Sequence, residues 1–475
     1  MSIKIFLTAI ISVLFCIILN EYNLEYVGEK YPAANNMLTS ADEASYFTPA
    51  RNYIENGVWK DNSVGFSSYY QRPPAYGVLF YVCSKISPEN PYLILKISQV
   101  VIWGFTVFLM GKILLSFIRS RLLVLTLTTL YGLLPMFNGF TYYTLTESLI
   151  PFVVVSLIYV SLKQKYSFFM FVYFGVMLLF RPQVSIIIIG LITFYYLKHY
   201  KVISYKIVFI QFLLFILPWS MWSVRNYNVN NEIVSIHPIY HYSNNQMYRP
   251  IHAQMTNLFR VWEANPTVFH SQMHQLFNDT TLSVRETVYN QIPIFNQIES
   301  KKEIMGILKE YQLVSFLLQT NFSSSSYITK HAIPSEQLLV DKIEITINSL
   351  KTKYWQSYYF VTPFKSFKKL IISSSLNLQI FQFKYRGLIW MEALRWFCFI
   401  LSLAGFITLF YNFITKKVVL WLRLLSMSSL GYIFYLSYVQ RLNEDRYYVV
   451  ILPILFISLI YSILQILGKE KPHSN

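Results

Sequence analysis

The chain has 475 residues, 54% of them hydrophobic and only 13% charged, where a soluble domain usually carries about 25% charge. So little charge cannot coat the surface of water-soluble domains over this length, and 18% aromatic content suits a chain that meets a lipid–water boundary. A soluble enzyme and a disordered chain are excluded; the net charge of +17 is met by cytoplasmic Lys and Arg and by phosphate-bearing membrane lipids rather than by nucleic acid.

Crossing the hydrocarbon takes about 20 mostly apolar helical residues. Runs of that kind lie at 3–19, 92–117, 122–139, 145–162, 167–180, 184–197, 207–224, 388–413, 418–439 and 449–467. The first has the length of a signal-peptide core, but no small-residue cleavage site follows it, so it reads as a membrane helix. The reading is an all-α polytopic membrane protein of about ten helices. It divides into an N-terminal module over 1–225, an external soluble domain over 226–386 and C-terminal helices over 387–475.

Short-loop charges set the orientation. Arg119 and Arg121, Lys163 and Lys165, Lys198, Lys201 and Lys206, and Lys416 and Lys417 all fall on one side, with Lys4 and the tail lysines 469 and 471. The positive-inside rule places these and both termini in the cytoplasm.

The outward side then holds a distinct set of ionisable residues. In Ser40-Ala-Asp-Glu-Ala-Ser-Tyr46, Asp42 and Glu43 stand about twenty residues past the first span. Ser40 and Glu43 have the spacing of a capping box. Tyr46, Phe47, Ala50, Tyr53 and Ile54, closed by Gly57, continue it as an amphipathic helix. Arg72 follows in Gln71-Arg-Pro-Pro-Ala-Tyr76, ahead of a short apolar piece, 76–86, that reads as interfacial or re-entrant. Glu147 opens the fourth span, Arg181 precedes the sixth in Arg-Pro-Gln, and Arg225 ends the seventh in a Pro218-Trp…Arg-Asn-Tyr227 stretch. Arg441, Glu444, Asp445, Arg446 and Tyr447 come just before the last span.

Each of these has a structural reading. The acids can cap helices, and the arginines can snorkel as interface anchors. Their shared side favours chemistry instead: a carboxylate able to take a proton from an acceptor, near guanidinium groups shaped to hold a phosphate in two-pronged fashion. No His/Cys/carboxylate group has metal-ligand spacing, and His237, His241 and His252 are scattered in the large loop. Cys16, Cys83 and Cys398 form no disulfide framework.

These residues resemble the GT-C superfamily of polyprenyl-phosphate-sugar-dependent glycosyltransferases, and within it the bacterial protein-mannosyltransferase and aminoarabinose-transferase group. The resemblance lies in Asp42-Glu43, in Tyr46, Ala50 and Gly57, and in Arg72 to Tyr76. Further along it lies in Glu147, Arg181-Pro182, Pro218 to Tyr227 and Glu444 to Tyr447. The chain departs from the family pattern at Ala75 and Gly77. The resemblance implies a GT-C-like bundle in a bacterial cytoplasmic (inner) membrane, with its site on the periplasmic face. It implies a polyprenyl-phosphate-sugar donor, a protein, lipid or glycan acceptor, and no cofactor. Asp42 would be the general base and Glu43 a supporting carboxylate. Arg72, Arg181, Arg225 and Arg446 would hold the donor phosphate, and Tyr46, Tyr76, Glu147, Glu444 and Tyr447 would support the substrate.

Two other classes use the same lipids. A lipid-linked glycan flippase would show repeated halves and midplane charges, and neither is visible here. A polysaccharide polymerase or ligase would rely on arginines without an acidic pair in the first external loop.

Overall fold

The structure is a computed structural model that describes residues 1–27, 37–39, 42–60, 72–163, 167–230, 250–263, 301–321, 334–373, 388–441 and 445–468. Most of the described residues are helical, and an isolated parallel bridge pairs Leu38 with Tyr143.

The N-terminal part contains α1 (Ser2–Val27), α2 (Glu43–Asn56), α3 (Ala75–Ile86), α4 (Pro91–Phe117), α5 (Arg121–Leu133) and the single turn α6 (Pro135–Asn138). It continues with α7 (Ile150–Lys163), α8 (Ser167–Leu178), α9 (Ser185–His199) and α10 (Tyr205–Asn230). Then come α11 (Pro250–Phe259), α12 (Lys301–Asn321) and α13 (Pro334–Lys353), a π-helical turn at Ser357–Val361, α14 (Thr362–Lys368) and a second π-helical turn at Lys369–Ser373. The last part holds α15 (Ile389–Ile414), α16 (Leu420–Phe434) with its π-helical extension Tyr435–Gln440, a 3₁₀ turn at Asp445–Val450 and α17 (Leu452–Ile466).

Each of the ten apolar runs holds a helix. Among the described residues four helices, within α1, α4, α10 and α15, are long and apolar enough to cross a membrane. The others are shorter because turns interrupt them. Pro135 separates α5 from α6, and a 3₁₀ turn at Thr146–Ser148 replaces the first turn of the fourth run. The short piece after Arg72 is a full helix, α3, of 12 residues.

One apolar core joins most of these helices. α1 lies against α4 and α5, α4 against α7, α8 against α10, α9 against α16, and α15 against α17. Its centre is aromatic: the Tyr131 ring lies 4.3 Å from Phe137 and 5.3 Å from Phe456. A separate cluster, built on Ile251, Met255, Ile307, Tyr311, Ile343 and Ile347, joins α11, α12 and α13.

A third cluster matters most for the site. Phe47 of α2 stacks on Phe80 of α3 with ring centroids 4.2 Å apart; both meet Tyr92, and Phe47 also meets Tyr76. Burying each such ring contributes about 2 kcal/mol, so α2 is held on α3 and the start of α4. The two helices approach so closely that a Cβ on Gly77 would lie 2.6 Å from the carbonyl oxygen of Tyr46. Gly57 ends α2 in the left-handed conformation, φ 70°, and donates its N–H to Tyr53. The amphipathic helix and its glycine stop are as expected. The helix begins at Glu43 with Asp42 at the N-cap, and Ser40, the other half of the expected capping box, lies outside the described residues.

Candidate functional site

The chain segment before α2 is pinned to the turn between α6 and α7. The Leu38 N–H donates to Tyr142 O at 2.9 Å, and the Thr144 N–H donates to Leu38 O at 3.0 Å. This places Asp42 and Glu43, at the start of α2, beside Thr144, Thr146 and Glu147.

The two acids then diverge. Asp42 faces a cavity of about 440 Å³ whose lining includes Tyr46, Arg72, Glu147, Arg181, Arg446 and Tyr447. Arg72 Nη2 donates to Asp42 Oδ1 at 2.9 Å, and Arg446 Nη1 pairs with Asp42 Oδ2. Burial pushes the Asp42 carboxyl upward, but the guanidinium groups of Arg72, Arg446 and Arg181 outweigh it. Its pKa is held below the ordinary aspartate value. Asp42 is therefore ionised at neutral pH.

Glu147 forms the floor of the same cavity and is only 2% exposed. Arg181 Nη1 lies 2.7 Å from its Oε1, and Arg446 Nε lies 3.8 Å from the same atom. Arg181 also donates to Thr146 Oγ1 at 3.2 Å and, through Nε, to Gln183 Oε1 at 2.7 Å. Arg446 thus touches both carboxylates. The arginines are further steadied by rings: Arg72 lies 5.2 Å from the Tyr46 centroid, and Arg181 lies 5.0 Å from that of Tyr447. Arg72 Nε donates to Ser45 Oγ at 3.0 Å.

Glu43 turns away from the cavity into the packing between α2 and α4. Its Oε2 accepts from Thr144 Oγ1 at 2.8 Å, its Oε1 accepts from the Tyr92 hydroxyl, and Arg51 Nη2 lies 3.2 Å from Oε1. This carboxylate ties α2 to α4 and to the Thr144 turn, so it braces the backbone that presents Asp42. Tyr76 is likewise buried beneath the cavity: its hydroxyl donates to Gln99 Oε1 at 2.9 Å, and Gln99 Nε2 donates to the carbonyl of Thr141 at 2.6 Å.

Arg225 also departs from the expected set. It sits near the end of α10, where Nη2 donates to the carbonyl of Trp59 and Nη1 donates to Asn226 Oδ1 at 2.9 Å. Its guanidinium rests 4.9 Å from the Trp222 ring and does not line the cavity. Local partners capture it, because Trp59 directly follows the α2 stop at Gly57 and Val58. Glu444, His237 and His241 lie outside the described residues.

The structure therefore brings together Asp42, Tyr46, Arg72, Glu147, Arg181, Arg446 and Tyr447. It leaves Glu43 and Tyr76 behind the wall and Arg225 to one side. Ser45, Thr144, Thr146, Gln183 and Gln99 were not anticipated. Most stand within or next to the acidic and Arg-Pro motifs, and Gln99 could have been noticed as a polar residue inside an otherwise apolar span. Among the described residues no group of three His, Cys, Asp or Glu side chains converges as a metal site.

Chemically, the cavity offers one ionised carboxylate at its wall with guanidinium groups on both its oxygens. A third guanidinium lies behind it on a buried acid. Such a cluster can hold a di-anionic group and accept a proton next to it.

No family model matches the chain, and no curated protein matches it. The chain is similar to the solved structure of an archaeal oligosaccharyltransferase, AglB from Archaeoglobus fulgidus, in complex with an inhibitory peptide and a dolichol-phosphate. The TM-score is 0.46 at 13% sequence identity, covering 96% of this chain and 50% of that one. The present chain thus spans about half the length of that enzyme.

Proposed function

We propose that the chain is an integral-membrane glycosyltransferase of the GT-C kind. It moves a sugar from a polyprenyl-phosphate donor to an acceptor on the outer face of the membrane, as in the protein-mannosyltransferase and aminoarabinose-transferase group. The observation that carries this reading is the Asp42 carboxylate held between Arg72 and Arg446 in a cavity that also presents Arg181.

The donor phosphate would take the guanidinium groups of Arg72 and Arg446, with Arg181 adding charge from behind. These contacts compete with Asp42 for the same N–H groups. Binding the phosphate therefore frees the carboxylate and returns basicity to it. Asp42 then accepts the proton of the acceptor's hydroxyl or amide as that heteroatom attacks the anomeric carbon. The bond from that carbon to the phosphate oxygen breaks, and polyprenyl phosphate leaves as the anion the arginines already hold. A single displacement of this type inverts the anomeric centre. Preorganised cations at the leaving group stabilise charge that grows in the transition state, commonly the largest single contribution to the rate.

The test is transfer from a radiolabelled polyprenyl-phosphate-hexose by the purified chain in proteoliposomes. Asp42→Asn should lower kcat by about 10³-fold, in the range removed with a general base, while donor lipid still co-purifies by mass spectrometry. Wild-type turnover by that variant would sink the assignment. The labelled product identifies the acceptor as protein, lipid or glycan.

A further inference from the structure

Residues 355–373 fall within the region that the sequence places in an external soluble domain, yet they pack against the membrane bundle. The Phe367 ring lies 5.7 Å from Phe406 of α15, and Leu370 and Ile371 are buried in the same core as the long apolar helices. The turn Lys369–Ser373 touches α15 and the 3₁₀ turn Asp445–Val450, and α14 lies on the π-helical extension Tyr435–Gln440.

The depth of this contact follows from α15, a helix long and apolar enough to cross a membrane. Phe406 stands about 12 Å along the axis from the helix end at Ile414, at 1.5 Å per residue. Lys416 and Lys417 mark that end as cytoplasmic. A point about 12 Å in lies within a hydrocarbon layer of about 30 Å. Phe367 is therefore at bilayer depth, not above it.

The opposite face of the segment is apolar and open. Phe360 is 59% exposed and Phe364 60%, with Trp355 and Tyr359 also exposed. On α15, Ile407 and Phe410 are exposed as well. Beside the segment's open face Lys365, Lys368 and Lys369 are all exposed. Their long stems can lie along apolar surface while the ammonium groups reach headgroup phosphates. A water-exposed domain surface has no reason to combine these features, whereas an aromatic face with lysines at its edge is the pattern of a helix lying in a membrane interface.

We infer that residues 355–373 form a lipid-facing helix seated at bilayer depth against α15, with Lys365, Lys368 and Lys369 at its edge binding anionic lipid headgroups. Arg441 tethers it. Its Nη2 donates to Tyr358 O at 2.5 Å and its Nη1 donates to Thr362 Oγ1 at 3.2 Å, while the preceding residue, Gln440, lines the cavity.

The test uses the full chain in vesicles of phosphatidylcholine and phosphatidylglycerol. Cys16, Cys83 and Cys398 are buried, so an introduced cysteine takes a nitroxide label selectively. A label at Phe364→Cys should favour collision with oxygen over a water-soluble nickel chelate by about 5-fold more than one at Glu344→Cys on α13, as expected for burial in acyl chains. If Phe364→Cys does not assemble, Tyr359→Cys reads the same face. A label as open to the chelate as that at Glu344 overturns the proposal and assigns the face to water or to a soluble partner. Lys365→Gln, Lys368→Gln and Lys369→Gln together should reduce enrichment of spin-labelled phosphatidylglycerol over phosphatidylcholine about 5-fold. Unchanged enrichment removes the headgroup contact from the proposal.

Discussion

Asp42 and Arg446 stand 404 positions apart in the chain and face each other across an ion pair at the cavity wall. The start of α2 and the turn before the last helix are thereby joined at the point where the chemistry is proposed to occur. Because Arg446 also approaches Glu147 at 3.8 Å, it is shared between both carboxylates of the site.

That sharing makes Arg446 the most sensitive cation. Arg446→Ala should raise the KM for polyprenyl-phosphate-hexose and lower kcat/KM by about 10²–10³-fold, the cost typical of removing one preorganised donor. Arg446→Lys should recover only part of it, since an ammonium cannot serve two carboxylates or grip a phosphate with two parallel N–H groups. Initial-rate kinetics over donor concentration decide this. Full activity in the lysine variant would show that only a point charge is needed there.

The pH dependence follows from the depressed pKa of Asp42. Its carboxylate is the proton acceptor, so activity is lost on the acid side as that group protonates. With Arg72 and Arg446 both present, the acid limb of kcat/KM should lie below the ordinary aspartate pKa of about 3.9. Arg72→Gln removes the leading attraction and leaves the opposing burial in place, so the limb should move to higher pH. The same sign holds for folding: a depressed native pKa contributes stability that is present above the unfolded value and lost as pH falls through the folded one. A limb that stays in place in Arg72→Gln would show that another group controls it.

That Asp42, Arg72, Glu147, Arg181 and Arg446 belong together was legible in the sequence; the direction of each side chain was not. Asp42, Arg72, Glu147, Arg181 and Arg446 could be grouped because alternating spans bring their loop ends to one membrane side, a property of chain topology alone. Glu43 adjoins Asp42 in the sequence but points elsewhere, because Tyr92 and Thr144, 49 and 101 positions away, supply its hydrogen bonds. Arg225 was grouped by the same sidedness, and only the approach of Trp59 diverts it. The helix identities followed from apolar runs. Where the runs are broken by Pro135 or by the Thr146–Ser148 turn, hydropathy cannot resolve the break, since the residues remain apolar on both sides.

The Glu147–Arg181 pair tests whether the cavity floor is structural. Both side chains are almost wholly buried, at 2% and 7% exposure. Removing one partner strands the other charge, which costs about 3–5 kcal/mol in such settings. Glu147→Leu should therefore lower the thermal midpoint of the detergent-purified chain sharply. Adding Arg181→Met should restore much of the loss, since a well-packed apolar pair is often as stable as the ions it replaces. Strict additivity of the two variants would mean that Arg181 is satisfied by Thr146 and Gln183 alone.

Glu43 is predicted to act through geometry and not through proton transfer. Glu43→Gln keeps an acceptor oxygen for one of Tyr92 and Thr144 and can donate an N–H to the hydroxyl oxygen of the other, and it should leave kcat within about 10-fold of the original, whereas a general base costs about 10²–10⁴-fold when lost. Glu43→Ala removes the brace between α2, α4 and the Thr144 turn. It leaves the Thr144 hydroxyl only its longer bond to the Leu38 carbonyl, at 3.3 Å, and lets Asp42 drift. Its kcat should fall further than that of Glu43→Gln, while the acid limb of the pH profile stays where Asp42 sets it. A limb displaced in Glu43→Gln would instead assign the titrating group to Glu43 and make Asp42 the supporting residue.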